Sequence, residues 1–302
     1  MINIELYTSQ TNIFAGMQKP YEKAQYVIFG VPFDDTSSYR TGARFMPTAV
    51  RQASLNIETY SFRSNQNLEN LPICDIGDVD ISADPKQTLE MCKSVVEDIA
   101  GAQKIPVAIG GEHTITLGIL KGIGEKTKKT AIVSFDAHLD LRKEFLGLKL
   151  SHTTFMRRIN EELKPAKIIE IGTRSVCQDE LDYAKKAKVD FISTQTIRKQ
   201  GTGATLKQLQ DLLAPYENVY LSVDMDILDP AYAPAVQNPE ADGISTGDLL
   251  DIVCGLCDER VIGFDVLEIA PAYDQGITAI AAAKVIFEIL CQLEKVRKKQ
   301  TR

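Results

Sequence analysis

All three histidines of this 302-residue chain lie in short polar clusters. His113 sits in Gly110-Gly111-Glu112-His113-Thr114, His138 in Asp136-Ala137-His138-Leu139-Asp140, and His152 in Ser151-His152-Thr153-Thr154. A further acidic cluster, Asp224-Met225-Asp226 through Asp229-Pro230, comes much later. Side chains two apart in extended chain point the same way. Asp136, His138 and Asp140 therefore share one side, and so do Asp224 and Asp226. If the segments are neighbours, four carboxylates converge. Two carboxylates about 4 Å apart repel by about 4 kcal/mol at an effective dielectric near 20. Several such pairs would rival the stability of a whole domain. Either some acids are protonated or cations neutralise them.

The donor types bear on which cation. Carboxylate oxygens dominate, imidazoles contribute and no thiolate takes part, a set that suits manganese or magnesium, with the imidazoles favouring a transition metal. A pair of Mn2+ ions is the expectation; a structural zinc site would want thiolates. Taken singly, each cluster has a plainer reading. An Asp-x-Asp after a strand serves as a turn or helix cap, and a lone buried histidine is a satisfied core group. Three clusters at strand ends make the metal centre the better account. A calcium loop starting at Asp224 is excluded, because Asp229 occupies its glycine position and Leu228 the place of an oxygen ligand.

These clusters must be positioned by the elements that precede them. Apolar, β-branched runs predict strands over Tyr26–Val31, Ile73–Ile76, Ile105–Ile109, Thr130–Ser134, Ile168–Ile171, Val189–Ile192, Val219–Val223 and Val261–Val266. Helical spacing of apolar residues predicts helices over Pro85–Ala102, Leu206–Leu213, Thr246–Cys257 and Ile277–Val296, with Lys295–Arg302 a frayed, basic end. Alternating strands and helices imply an α/β fold with a mostly parallel sheet. An open three-layer sheet and a closed eightfold barrel both fit, and both put function at the carboxyl ends of strands.

Composition is that of an ordinary globular chain: 44% hydrophobic and 25% charged. The net charge of -7 disfavours nucleic acid or an anionic membrane as partner. No leader-like N-terminus and no membrane-length apolar run is visible. The six cysteines need no disulfides in a chain with a full core. A reducing cytoplasm is the expected location. Cys254-Gly-Leu-Cys257 has redox spacing but falls inside a helix, which implies paired core thiols. Gly201-Thr-Gly-Ala lacks a full phosphate-loop pattern and reads as a loop before a helix. No Gly-x-Ser-x-Gly elbow points to a serine hydrolase.

In order and spacing, Gly110–Thr114, Asp136–Asp140, Ser151-His152, Ser222–Asp226 with Asp229-Pro230, and Phe264–Glu268 resemble the ureohydrolase family of arginases and agmatinases. Tyr39-Arg-Thr-Gly-Ala-Arg44 resembles a segment common in agmatinases. The likeness runs from about Tyr26 to Ile289. It implies a single domain over residues 1–302, folded as an open three-layer α/β/α sandwich with a mostly parallel eight-stranded sheet. It also implies two Mn2+ ions per subunit. One would be held by His113, Asp136, Asp140 and Asp224, the other by Asp136, His138, Asp224 and Asp226. Glu268 would anchor the substrate guanidinium, Asp140 would assist a dimanganese-bridged hydroxide, and His152 would carry protons to the leaving amine.

The implied activity is hydrolysis of agmatine, a small cationic guanidino substrate, to putrescine and urea. The implied assembly is a homo-oligomer, trimer or hexamer. Arg142 stands where arginases place an Asn that holds the substrate carboxylate, which favours agmatine. Met46 and Thr41 depart from the agmatinase segment, and Met46 is expected to reshape the pocket mouth. Guanidinobutyrate, aminopropylagmatine, arginine or a formimino compound are the alternative substrates, and a catalytically silent metal-binding subunit is the non-enzyme alternative.

Overall fold

Nine strands form one sheet in the computed structural model, which describes residues 2–9 and 11–300. In chain order the strands are β1 (Thr8–Ser9), β2 (Tyr26–Gly30), β3 (Tyr60–Ser61), β4 (Gln66–Asn67), β5 (Ile73–Val79), β6 (Ile105–Ile109), β7 (Thr130–Phe135), β8 (Lys167–Thr173), β9 (Asp190–Ser193), β10 (Asn218–Asp224) and β11 (Val261–Leu267). Their order in the sheet is β1-β5-β2-β6-β11-β10-β7-β8-β9, while β3 and β4 pair separately. All eight expected strands are present, and they pair in parallel. The ninth, β1, is a two-residue antiparallel edge on β5. The sheet is open, so the barrel is ruled out.

The α-helices are α1 (Ile2–Tyr7), α2 (Met46–Ser54), α3 (Pro85–Gly101), α4 (Ile115–Ile123), α5 (Phe155–Arg158), α6 (Gln178–Ala187), α7 (Thr194–Gln200), α8 (Thr202–Leu213), α9 (Thr246–Leu256) and α10 (Ile277–Gln300). Alternation along the strands sorts side chains into two cores. Tyr26, Ile28, Val133, Leu221 and Val266 face α2, α8, α9 and α10. Val27, Phe29, Ile132 and Tyr220 face α3, α4 and α5. The result is three layers, helix on sheet on helix.

Local chemistry sets the helix ends. Pro85 opens α3 after Asp84, whose side chain accepts the Lys86 N–H. Ser245 and Asp248 form a capping box on α9. Gly201, at φ 82°, separates α7 from α8, so the glycine-rich stretch is a helix junction with the second helix starting at Thr202. The basic tail is helical through Gln300; the final two residues lie outside the described ones. Cys254 and Cys257 are buried free thiols at the end of α9. Among the described residues no helix is long and apolar enough to cross a membrane.

Candidate metal centre and active site

The four strands that carry the motifs are adjacent at the middle of the sheet, in the order β6-β11-β10-β7. Their carboxyl ends deliver His113 beyond β6, Glu268 beyond β11, Asp224 and Asp226 at and beyond β10, and Asp136, His138 and Asp140 beyond β7. Residues up to 155 positions apart in sequence therefore meet: the His113 backbone N–H donates to Glu268 Oε1 at 2.5 Å. Two positions sit in left-handed backbone, Asp140 at φ 50° and Glu268 at φ 70°. That conformation is costly for non-glycine residues and concentrates where function fixes geometry.

Two donor groups stand side by side and share Asp136. His113, Asp136 and Asp140 form one; Asp136, His138 and Asp226 form the other, with the donor atoms of each within 4.8 Å of one another. His113 Nδ1 is 3.1 Å from Asp136 Oδ2 and 3.3 Å from Asp224 Oδ2. His138 Nδ1 is 3.0 Å from Asp226 Oδ2 and 3.4 Å from Asp136 Oδ1. Asp224 Oδ1 accepts the Asp226 N–H at 2.7 Å, leaving Oδ2 toward His113.

The electrostatics fit a cation. Burial, then the Asp226 and Asp136 charges, push the Asp224 carboxyl well above its usual range; burial and Asp136 do the same to Asp140. Burial lowers His113, but Asp136 and the other acids more than offset it and raise the ring to about 9. The cluster thus calls for positive charge at Nδ1, yet Nδ1 is buried with no hydrogen-bond partner. A metal ion would satisfy that nitrogen and the carboxylate oxygens 3.1 and 3.3 Å from it at once, where a proton makes no well-aligned hydrogen bond.

The other side of the His113 ring is fixed. Nε2 lies 2.8 Å from Ser222 Oγ, and Ser222 donates to Asp265 Oδ1 at 2.5 Å. Asp265 also accepts from Tyr220 and Thr116, at 2.7 and 2.9 Å. Ser222, having donated its proton, accepts from Nε2–H, so the lone pair is on Nδ1. Such an outer carboxylate sets the tautomer of a ligating histidine. A second outer support is Arg174, whose guanidinium donates to the carbonyls of Asp226 (2.6 Å) and Glu240 (2.9 Å), tying down the segment that carries Asp226.

Above the donors opens a cleft of about 240 Å3 lined by His138, Asp140, His152, Asp224, Asp226 and Glu268, together with Arg142, Phe145, Glu180, Asn238 and Glu240. His113 and Asp136 lie buried beneath. Glu268 has one oxygen on the His113 N–H and the other, Oε2, buried without a partner. Burial, then Asp224 and Glu112, raise its carboxyl well above the usual range. The His152 ring is held by Ser38 Oγ at 3.0 Å from Nε2, and burial with the two other histidines lowers it to about 4, so it is neutral at pH 7.

Every expected site residue reaches this one locale. Met46 does not: it is fully buried in the core, its Sδ accepting the Ile269 N–H at 3.4 Å. It cannot reshape the mouth, because as the first residue of α2 it is turned into the core and does not line the cleft. Ser38, Asn238 and Glu240 were not anticipated, since they arrive on loops without a motif. Asp265 was legible in principle, as a charge inside an apolar run.

Comparison with known proteins bears on family and fold. The Arginase family model matches residues 24–291. The agmatinase of Halalkalibacterium halodurans is 38% identical over 282 residues, covering 92% of this chain and 95% of its own. The N(1)-aminopropylagmatine ureohydrolase of Thermococcus kodakarensis is 35% identical over 286 residues, covering 93% and 95%. The crystal structure of agmatine ureohydrolase of Thermoplasma volcanium superposes with a TM-score of 0.88 at 35% identity, covering 99% of each chain. In motifs, fold and nearly its whole length the chain belongs to the arginase family, the ureohydrolases that hydrolyse linear amidines.

Proposed function

We propose that this chain hydrolyses agmatine to putrescine and urea with the aid of two divalent ions, manganese in the first place. The observation that carries the reading is the meeting, in one cleft, of a doubled His/Asp donor cluster with the unpartnered buried oxygen Glu268 Oε2. His113, Asp136, Asp140 and Asp224 would hold one ion, and Asp136, His138, Asp224 and Asp226 the other. Ions so bound would lower the pKa of water enough to supply hydroxide near neutral pH, which a resonance-stabilised guanidinium requires.

The chain's own groups do the rest. Glu268, steadied on one oxygen by the His113 N–H, receives a guanidinium N–H on the other and holds the carbon in line for attack. Asp140 accepts a hydrogen bond from the attacking water. His152, neutral at pH 7, takes up a proton and passes it to the leaving amine.

Charge favours a substrate with a cationic tail. The cleft is lined by six carboxylates, those of Asp140, Glu180, Asp224, Asp226, Glu240 and Glu268, against one guanidinium, Arg142. Two divalent ions would not exhaust that excess. Arg142 is itself drawn toward Glu180, at 3.8 Å, rather than left for a substrate carboxylate. A single domain over 1–302, a cytoplasmic location and a trimeric or hexameric assembly belong to the same reading.

The test is urea release by manganese-loaded protein from agmatine, aminopropylagmatine, guanidinobutyrate and arginine, with metal counted on the same sample. Agmatine should give the highest kcat/KM. Metal-replete protein silent on every guanidine would overturn the proposal.

A further inference from the structure

We infer that Glu112 and Thr36 form a positioning device for His152, acting through the loop that follows β2. The inference rests on the proposed role of His152 as proton carrier and says what sets its place. Glu112 is fully buried one residue before His113, yet its side chain takes no part in the donor cluster. Its carboxylate instead receives three neutral donors: the Thr36 N–H at 2.8 Å on Oε2, and the hydroxyls of Thr36 and Thr114 on Oε1. Among the described residues no arginine or lysine pairs with it. Neutral hydroxyls and an amide are a costly way to satisfy a buried carboxylate, so the arrangement fixes a geometry rather than a charge.

That geometry leads to His152. Thr36 donates its O–H to Glu112, which leaves the lone pairs of the oxygen to accept the His152 backbone N–H at 3.1 Å. Two residues on, Ser38 Oγ meets the ring at Nε2, 3.0 Å away. One short loop thus grips both the main chain and the ring of His152. The loop is in turn pressed against the turn after β6. The Glu112 N–H donates to the Phe33 carbonyl at 2.8 Å. A Cβ on Gly111 would stand 1.8 Å from that same oxygen, so only glycine permits the approach. The turn carrying the metal donor His113 and the loop cradling His152 are therefore locked together. The distance from proton carrier to metal centre is set by Glu112 and Thr36, neither of which lines the cleft.

Thr36→Val removes the hydroxyl at nearly constant volume, Thr36→Ser keeps it, and Glu112→Gln replaces one acceptor oxygen by a donor. Each is made in the native chain and in His152→Asn, and manganese-loaded protein is assayed for urea from agmatine, with manganese content and thermal midpoint recorded. Thr36→Val and Glu112→Gln should lower kcat by about tenfold or more, as small misplacements do. KM and metal content should stay near native, and Thr36→Ser should recover most of the rate. In the His152→Asn background the same changes should cost less than about twofold, the non-additivity of residues acting through one another. Equal factors in both backgrounds, or full rate in Thr36→Val, would overturn the positioning role while leaving His152 as proton carrier. Full rate in His152→Asn alone would instead remove the role of His152, and this device with it. Should Thr36→Val not fold, Glu112→Gln and Thr36→Ser carry the same comparison.

Discussion

His152 and His113 are both buried imidazoles, yet their surroundings fit the opposite tasks proposed for them. His113 has acids on one nitrogen and the Ser222–Asp265 chain on the other, so it is held as a donor toward the cluster. The His152 ring meets a hydroxyl and an amide, and burial with the two neighbouring histidines keeps it neutral. Separate outcomes follow. His152→Asn should lose about a hundredfold or more in kcat, the usual worth of a positioned proton carrier, while elemental analysis still finds the native manganese content. Asp265→Asn or Ser222→Ala should do the reverse. Loss of an outer partner of a ligating histidine weakens metal affinity by about 10- to 100-fold, measurable by competition with a chelator. Saturating manganese should then restore most of the rate. If Asp265→Asn holds metal as tightly as the native chain, the outer chain is only a way of burying a carboxylate.

At the level of elements, the four central strands were readable because both of their faces are covered and their sequences are unbroken apolar runs. Their ends were readable because acids and imidazoles at alternating positions have few reasons to follow such runs. The edge strand β1 left no signal: Thr8 and Ser9 pair only with Val79 and Asp78, too short a ladder for periodicity. Met46 was misplaced because it was read together with the Tyr39–Arg44 segment before it, whereas the helix beginning at Met46 buries that residue in the core. The groups from Asn238 and Glu240 were invisible because only tertiary folding brings their loop over the cleft. Close helix packing makes a prediction here. An alanine at an ordinary helical glycine stabilises by about 0.5–1 kcal/mol. On α4 the sign reverses, because a Cβ at Gly122 would meet the Lys93 carbonyl oxygen and Val96 Cβ of α3 at 2.6 Å each. Gly122→Ala should therefore destabilise by about 1–3 kcal/mol, the cost of overpacking, as read from chemical denaturation. A neutral or stabilising result would mean that α3 can retreat without loss.

For the molecule as a whole, the acid cluster couples metal to stability and stability to pH. Asp140, Asp224 and Glu268 have folded carboxyl values raised by burial and by neighbouring acids. A raised acid stabilises the fold below its unfolded value, about 4, and that contribution is lost as pH rises. His113, raised to about 9, contributes fully below its unfolded value near 6.5 and loses that contribution as pH climbs through 9. His138, raised well above its usual range by Asp226 and Asp136 despite burial, acts in the same direction. Asp136 is lowered by the two histidines in spite of burial, so its stabilisation is present above about 4 and constant across neutral pH. His152, lowered to about 4 by burial and the two other histidines, acts the other way up to about 6.5. It is one group against the three raised acids and two raised imidazoles. Between about pH 5 and 9 the folded chain therefore binds more protons than the unfolded one, and stability should fall with rising pH. Divalent ions bound there would replace those protons and weaken the dependence. Chelator-treated protein should show a thermal midpoint that drops steadily from pH 5.5 to 9. Manganese-loaded protein should melt higher throughout, with a smaller slope, since a ligand that binds only the folded state stabilises by mass action. Parallel curves for the two preparations would mean that the carboxylates carry their charge without a cation, and the electrostatic basis for the metal centre would fail.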